Sequence, residues 1–271
     1  MDNVTASVVM DRHALGGETV AAVIRLNRPG QLNPIDDEVL DRIDDHLDAI
    51  DTDPTVRAVL VTGNGRAFSA GGDLKKYVDL QRDPVAFPAF VGHLHRTFGR
   101  LRAMRVPVVA LVNGVTAAGG LELILNCDFA IVGESAKVGD GHLNFGQMGG
   151  GGVLTLLPRA IGKARAIELL LSGRFLTAVE TVDWGLASRC VPDADLLGAG
   201  LDFATEVAAK SPLAVANAKQ VAHQLWSDNG SVDAGLRLEL ERDAYYCLTS
   251  HDAPEGLQAF SEKRPPKFTG T

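Results

Sequence analysis

Runs of apolar residues alternate with periodic apolar stripes along the first two thirds of this chain. Val20 to Leu26 is almost wholly apolar and is stopped by Asn27-Arg28-Pro29-Gly30, which predicts a buried strand. From Asp36 to Ile50 the apolar positions are Val39, Leu40, Ile43, Leu47 and Ile50. Spacings of three and four predict an amphipathic helix that starts at Asp36 or Asp37. Val56 to Thr62 predicts a second buried strand, closed by Gly63-Asn64-Gly65, and Val108 to Val112 a third. Residues 85–104 predict a helix ending before Pro107, Leu121 to Leu125 a short helix, and Asp128 to Val132 a further strand. Helix resumes near Leu154, after the glycine cluster Gly146 to Gly152. Beyond about residue 195 the pattern turns helical throughout, over 196–209, 212–226, 231–248 and 252–262. Strands alternating with helices predict an α/β core of βαβ units, followed by a C-terminal helical portion.

Composition narrows the class. The chain has 271 residues, 46% of them apolar and only 6% aromatic, enough for one large domain with an aliphatic core. Net charge is −8, and the absence of any long Lys/Arg run argues against a nucleic-acid surface. Cys127, Cys190 and Cys247 are odd in number and far apart, which excludes a disulfide framework and a Cys-based zinc motif. Met1 to Thr5 carry neither a basic nor an apolar segment of a secretory signal, and no apolar stretch reaches membrane-spanning length. The expectation is a cytoplasmic protein without a metal site or membrane association.

Two glycine turns bring in chemistry. The first is Phe68-Ser69-Ala70-Gly71-Gly72-Asp73-Leu74 and the second is Asn113 to Glu122. Two backbone N–H groups converging on one oxygen make an oxyanion hole, and a carboxylate beside them supplies acid–base chemistry. A helix beginning near Ala118 leaves its first N–H groups unpaired, and Glu122 shares a helical face with Gly119. The alternative for Glu122 is a plain complement to the helix N-terminus. Asp140-Gly141-His142 offers a histidine oriented by a carboxylate; the alternative is a loop histidine bonded to backbone. Gly149 to Gly152 reads as a phosphate cradle or a flexible turn. A dinucleotide fingerprint fails at Gly63-Asn64-Gly65 for want of its third glycine, and Ser69 only approximates a nucleophile elbow, with Ala67 at its first position.

In this order, Ile24 to Pro29, Val59 to Gly63, Ala67 to Leu74, Pro107 to Asp128, Ala160 to Ala164, Leu171 to Arg174, Ala178 to Gly185 and Ala259 to Arg264 resemble the crotonase superfamily of enoyl-CoA hydratases and isomerases. The resemblance covers nearly the whole chain. It implies an α/β crotonase-like spiral of ββα units over residues 1–195, and a C-terminal helical oligomerisation region over 196–271 that forms a homotrimer or a dimer of trimers. It implies an acyl-CoA substrate, with CoA entering as part of that substrate and no separate cofactor, and Gly72 and Gly119 as the oxyanion donors that hold a thioester enolate. By the same resemblance Arg28, Ala70, Gly72, Asp73, Leu74, Lys75 and Gly119 contact substrate or CoA, with Phe260 and Lys263 supplied by a neighbouring subunit. The stretch from Tyr77 to Val91 is placed beside the acyl pocket. Hydratases of this family use two glutamates around one water. The first matches Glu122; the second falls at His142, where a Pro-Glu pair becomes Gly141-His142, and the glycine-proline segment that follows becomes Gln147 to Gly152. A lyase using Glu122 and His142, tuned by Asp140, is the first expectation. An isomerase, a hydrolase of a thioester or of a β-diketone C–C bond, and a non-catalytic acyl-CoA-binding homologue are the alternatives.

Overall fold

A computed structural model of the protein describes residues 6–227 and 231–271, so Met1 to Thr5, where a targeting signal was sought, lie outside the described residues. The chain opens with an antiparallel hairpin of β1 (Val8–Gly16) and β2 (Thr19–Leu26). Helix α1 (Asp37–Asp51) follows, capped by Asp36, whose side chain accepts the Val39 N–H. Its buried residues are the five of the predicted stripe. The first unit is then β3 (Val56–Gly63), β4 (Ala67–Ser69), α2 (Leu74–Leu80) and α3 (Ala86–Ala103). The second is β5 (Val108–Val112), β6 (Val115–Ala117) and α4 (Gly119–Leu125). The third is β7 (Phe129–Gly133), β8 (Lys137–Gly139), α5 (Val153–Ile161) and α6 (Lys163–Ser172). The strands end with β9 (Leu176–Thr177) and, after α7 (Ala178–Asp183), β10 (Arg189–Val191). Four helices close the chain: α8 (Leu196–Ala208), α9 (Pro212–Ser227), α10 (Val232–Thr249) and α11 (Asp252–Glu262). No helix of the described residues is long and apolar enough to cross a membrane.

Each unit lays its first strand in a large sheet and its second in a small one, then turns into helix. The large sheet runs β1-β2-β3-β5-β7-β10, parallel from β2 onward, and the small one β4-β6-β8-β9. This is the expected ββα spiral. The large sheet is covered on both faces, which is why its strands read as unbroken apolar runs. Val59, Val61, Val108 and Ala110 face the main core with α1 and α3. Leu60, Val109, Leu111 and Ile131 face a second cluster built with Leu196 and Ala204 of α8. Burying each such Val or Leu contributes about 1.5–3 kcal/mol. Successive turns of the spiral stack closely: a methyl group on Gly114 would lie 2.2 Å from the Arg66 carbonyl oxygen, and the Asn113 side-chain oxygen accepts the Gly63 N–H at 3.0 Å.

The apolar pattern does not show β1. This edge strand exposes Asp11 and Arg12, and polar residues on its open side dilute the signal. Gly16 and Gly17, both with positive φ, are the turn signal that marks its end.

Candidate active site

The site is built where the first two glycine turns meet. The Ile35 N–H donates to the Gly71 carbonyl at 2.9 Å and the Ala70 N–H to the Leu32 carbonyl at 2.9 Å. These bonds pin the strand that carries Gly72. In the second turn, Ala118 has φ 50° and ψ −117°, a conformation that costs a side-chain-bearing residue about 1–3 kcal/mol. It is held by its own N–H, which donates to the Asp140 carbonyl at 2.7 Å. Gly71 packs against it so tightly that a methyl group there would lie 2.7 Å from Ala118 Cβ. This bend starts α4 at Gly119, whose N–H has no carbonyl one turn behind it to bond. Neither the Gly72 nor the Gly119 N–H finds a backbone acceptor among the described residues.

Both glycines border a cavity of about 500 Å³, which is also lined by Ala70, Leu74, Glu122, Asp140 and His142. Glu122 is buried one turn into α4. Its Oε1 accepts the Gly151 N–H at 2.6 Å and the Val153 N–H at 3.4 Å. Within the glycine cluster, Gly151 therefore helps to cradle a carboxylate of the protein itself. A methyl group on Gly151 would lie 2.5 Å from Glu122 Oε2 and 2.7 Å from Leu94 Cδ2, so a side chain there would have to push the carboxylate or Leu94 aside. His142 follows Gly141, whose φ of 66° turns the chain back at the end of β8. Its Nδ1 pairs with Asp140 Oδ1 at 2.7 Å, and Asp140 is buried. The two acid–base groups are near neighbours: a methyl group on Gly149 would lie 3.1 Å from Glu122 Oε1 and 3.3 Å from His142 Cε1.

Electrostatics follows from this packing. Burial pushes the Glu122 carboxyl above its ordinary range; His142 and the two N–H donors pull it back without cancelling the rise. For His142 burial works against the charged form, but the hydrogen bond and charge of Asp140, with the charge of Glu122, outweigh it and raise the value. Glu122 Oε2 and His142 Nε2 have no protein partner among the described residues. An ionised Glu122 and a protonated His142 would each present one unused atom at the cavity.

The far wall is aromatic. The Tyr77 ring lies over Gly72, where a methyl group would come within 2.7 Å of it. Edge contacts join Tyr77 to Phe87 and Phe90, with ring centres 6.0 and 5.6 Å apart. Burial, then the Glu122 charge, pushes the Tyr77 hydroxyl up to about 12. In the sequence, Tyr77 stands out only within a stretch placed beside the acyl pocket, and Gly151 only within the glycine cluster.

The other expected residues lie elsewhere on the chain. The Arg28 guanidinium is paired with Asp36 at 2.7 Å and with Glu38 at 2.5 Å. Asp73 caps α2 by accepting the Lys75 N–H at 3.0 Å, and the Lys75 side chain is exposed. Phe260 and Lys263 are exposed at the end of α11, away from this cavity. Ser69 is buried, donating to the Asn33 carbonyl at 2.8 Å and accepting the Gly71 N–H. It anchors the first turn.

Comparison with known proteins bears on what the cavity holds. A family profile described as enoyl-CoA hydratase/isomerase matches residues 16–271. The chain is 37% identical over 247 residues to a probable enoyl-CoA hydratase of Mycobacterium bovis, covering 91% of this chain and 93% of that one. It is 34% identical over 248 residues to the 2,3-dehydroadipyl-CoA hydratase of Escherichia coli, covering 92% and 94%. Among solved structures, an enoyl-CoA hydratase from Bacillus anthracis is similar with a TM-score of 0.89 and 32% identity, over 98% of this chain and 100% of the other.

Proposed function

This chain belongs to the enoyl-CoA hydratase/isomerase family, and from that membership we propose that it adds water across the C=C bond of a 2-enoyl-CoA thioester, with Glu122 and His142 dividing the proton transfers. The observation that carries the reading is the pair of unused atoms, Glu122 Oε2 and His142 Nε2, at a cavity that also exposes the Gly72 and Gly119 turns.

The thioester oxygen accepts the Gly72 and Gly119 N–H groups. Glu122 holds water by Oε2 and takes one of its protons as the water oxygen bonds to the β-carbon. The π-electrons move to the α-carbon and onto the thioester oxygen. That enolate charge is what the two N–H donors stabilise, each contributing about 3–4 kcal/mol to the transition state. His142 delivers a proton from Nε2 to the α-carbon. Asp140 supports this by favouring the imidazolium and fixing the ring through Nδ1. Transfer of the Glu122 proton back to His142, directly or through solvent, resets the pair. CoA is part of the substrate and no separate cofactor enters these steps. Homotrimers or dimers of trimers, with residues 196–271 as the assembling region and Phe260 and Lys263 reaching a neighbour's CoA, complete the reading, as does a cytoplasmic location.

One observation favours a second reaction. The Asp140–His142 pair, bonded at 2.7 Å, is also the arrangement by which a neutral histidine activates water for acyl hydrolysis. A panel of 2-enoyl-, 3-enoyl- and 3-oxoacyl-CoA compounds separates the two. Loss of enone absorbance without free thiol is the expected result. Thiol release would replace hydration with thioester hydrolysis, and a product shortened in mass would indicate C–C cleavage.

A further inference from the structure

Helix α3 touches the glycine cluster through one face. A methyl group on Gly150 would meet Val91 at 3.5 Å, and one on Gly151 would lie 2.7 Å from Leu94. One residue beyond Leu94, His95 Nε2 hydrogen-bonds the Gly150 carbonyl. That carbonyl belongs to the same peptide group as the Gly151 N–H, which donates to Glu122 Oε1 at 2.6 Å. A trans peptide points its C=O and N–H in opposite directions. The Gly150–Gly151 peptide is thus held between His95 on one side and Glu122 on the other. Because a carbonyl only accepts, His95 carries its proton on Nε2. A donor on the carbonyl polarises the peptide and strengthens its N–H as a donor in turn.

The geometry points to His95 as a positioning residue for Glu122: through the Gly150–Gly151 peptide it aims the N–H that fixes one carboxylate oxygen, leaving the other free to hold water. The role matters because the run that carries this peptide is glycine. Gly149, Gly150 and Gly151 have no side chains to lock the run, and His95 supplies the hydrogen bond that a stiffer sequence would not need. His95 is exposed, so it is dispensable to the core. Glu122 is buried, shares its cavity with the uncharged Tyr77 hydroxyl, and feels the charges of His142 and Asp140. Those groups bias its titration whether or not His95 is present; His95 adds a contribution on top of theirs.

The inference rests on the catalytic role given to Glu122, and the test separates the two. His95→Leu, His95→Gln and Glu122→Gln are compared with the parent on the 2-enoyl-CoA of the panel that it hydrates fastest, with pH profiles of kcat. Gln retains an N–H donor of similar reach. His95→Leu is expected to lower kcat at least about fivefold with KM changed less than about twofold. Its acid limb should shift to higher pH, because ionised Glu122 loses part of a donor that favours it. His95→Gln should recover kcat to within about twofold of the parent. A His95→Leu enzyme with a smaller loss in kcat, with the loss confined to KM, with an unmoved acid limb, or with no recovery in His95→Gln overturns the inference. If Glu122→Gln is inactive while His95→Leu is normal, the inference alone fails; if Glu122→Gln is fully active, the role of Glu122 fails and this inference with it.

Discussion

Two carboxylate–histidine pairs that border cavities are built from the same parts. Asp140 holds His142 beside a cavity of about 500 Å³. Asp128 holds His223 beside one of about 660 Å³ beneath α9. The larger cavity is not the one the chemistry favours, and the reason lies in what stands beside each histidine. Around Asp128 the carboxylate and Lys219 spend their bonds on tying segments together. One oxygen accepts the Val108 N–H at 2.7 Å and lies 2.9 Å from Lys219 Nζ. Lys219 also donates to the Val106 and Leu101 carbonyls, at 2.9 and 3.2 Å. Burial pushes the Lys219 value down against the pull of Asp128. These bonds tie α9 to the end of α3 and to the chain that enters β5. At Asp140 the bonds stop short: His142 and Glu122 each keep one atom free, beside two glycine turns with N–H groups to offer. The arrangement suited to catalysis is the one whose histidine shares its cavity with a second acid–base group and two glycine turns; the latch is the one whose carboxylate and lysine spend their bonds tying segments together.

Mutations can break this contrast. Glu122→Gln should lower kcat by about a hundredfold or more while leaving the melting temperature close to that of the parent, measured by enone absorbance and by thermal unfolding. Lys219→Met should do the reverse. Removing the ammonium from Asp128, which keeps the Val108 N–H and His223, should cost about 2 kcal/mol of stability, read by denaturant unfolding, with kcat of the folded enzyme within about twofold of the parent. A large loss of turnover in Lys219→Met would erase the distinction between site and latch.

Asp140→Asn should lower kcat about tenfold, since the imidazolium loses its charged partner, and should move the alkaline limb of the kcat profile to lower pH. An unmoved limb would assign that limb to another group. The smallest effect is on the pH dependence of stability. His142 has a folded value above its unfolded value of about 6.5. Its contribution to stability is therefore complete below that pH and is lost as pH rises through the folded value. Glu122, also raised, acts in the same direction from its own unfolded value upward. Lys219 has a lowered folded value and acts in the opposite direction, adding stability as pH rises from that value toward about 10.4. Unfolding free energies across pH should show a shallower decline in His142→Gln than in the parent. An unchanged slope would separate His142 from the titration assigned to it.

The parts of the fold that could be read along the chain are those whose signal is local and long. The α1 stripe from Val39 to Ile50 repeats over about three turns, and β3 and β5 are apolar throughout because helices cover both faces of their sheet. The small sheet could not be read in this way. Its strands β4, β6, β8 and β9 have three, three, three and two residues, too few to display a period of two. The site divides similarly. Gly119 and Glu122 fall three residues apart on one turn, and Asp140 and His142 two apart across a glycine, so their pairing was legible. The Gly151 cradle was not, since its contact with Glu122 spans 29 residues and a run of glycines has no periodicity to interpret. His95 reaches Gly150 across 55 residues, and no local pattern distinguishes it from any other exposed helical histidine.

By itself, then, the order of residues determined the periodic elements, the two glycine turns with their carboxylate, and the family to which they belong, because each depends on neighbours in the chain or on motifs in a set order. Only the tertiary structure decided which oxygen of Glu122 is occupied, which nitrogen of His142 is free, and which of two similar carboxylate–histidine pairs has a second acid–base group beside it. Those outcomes depend on hydrogen bonds between segments tens of residues apart, and packing sets their geometry.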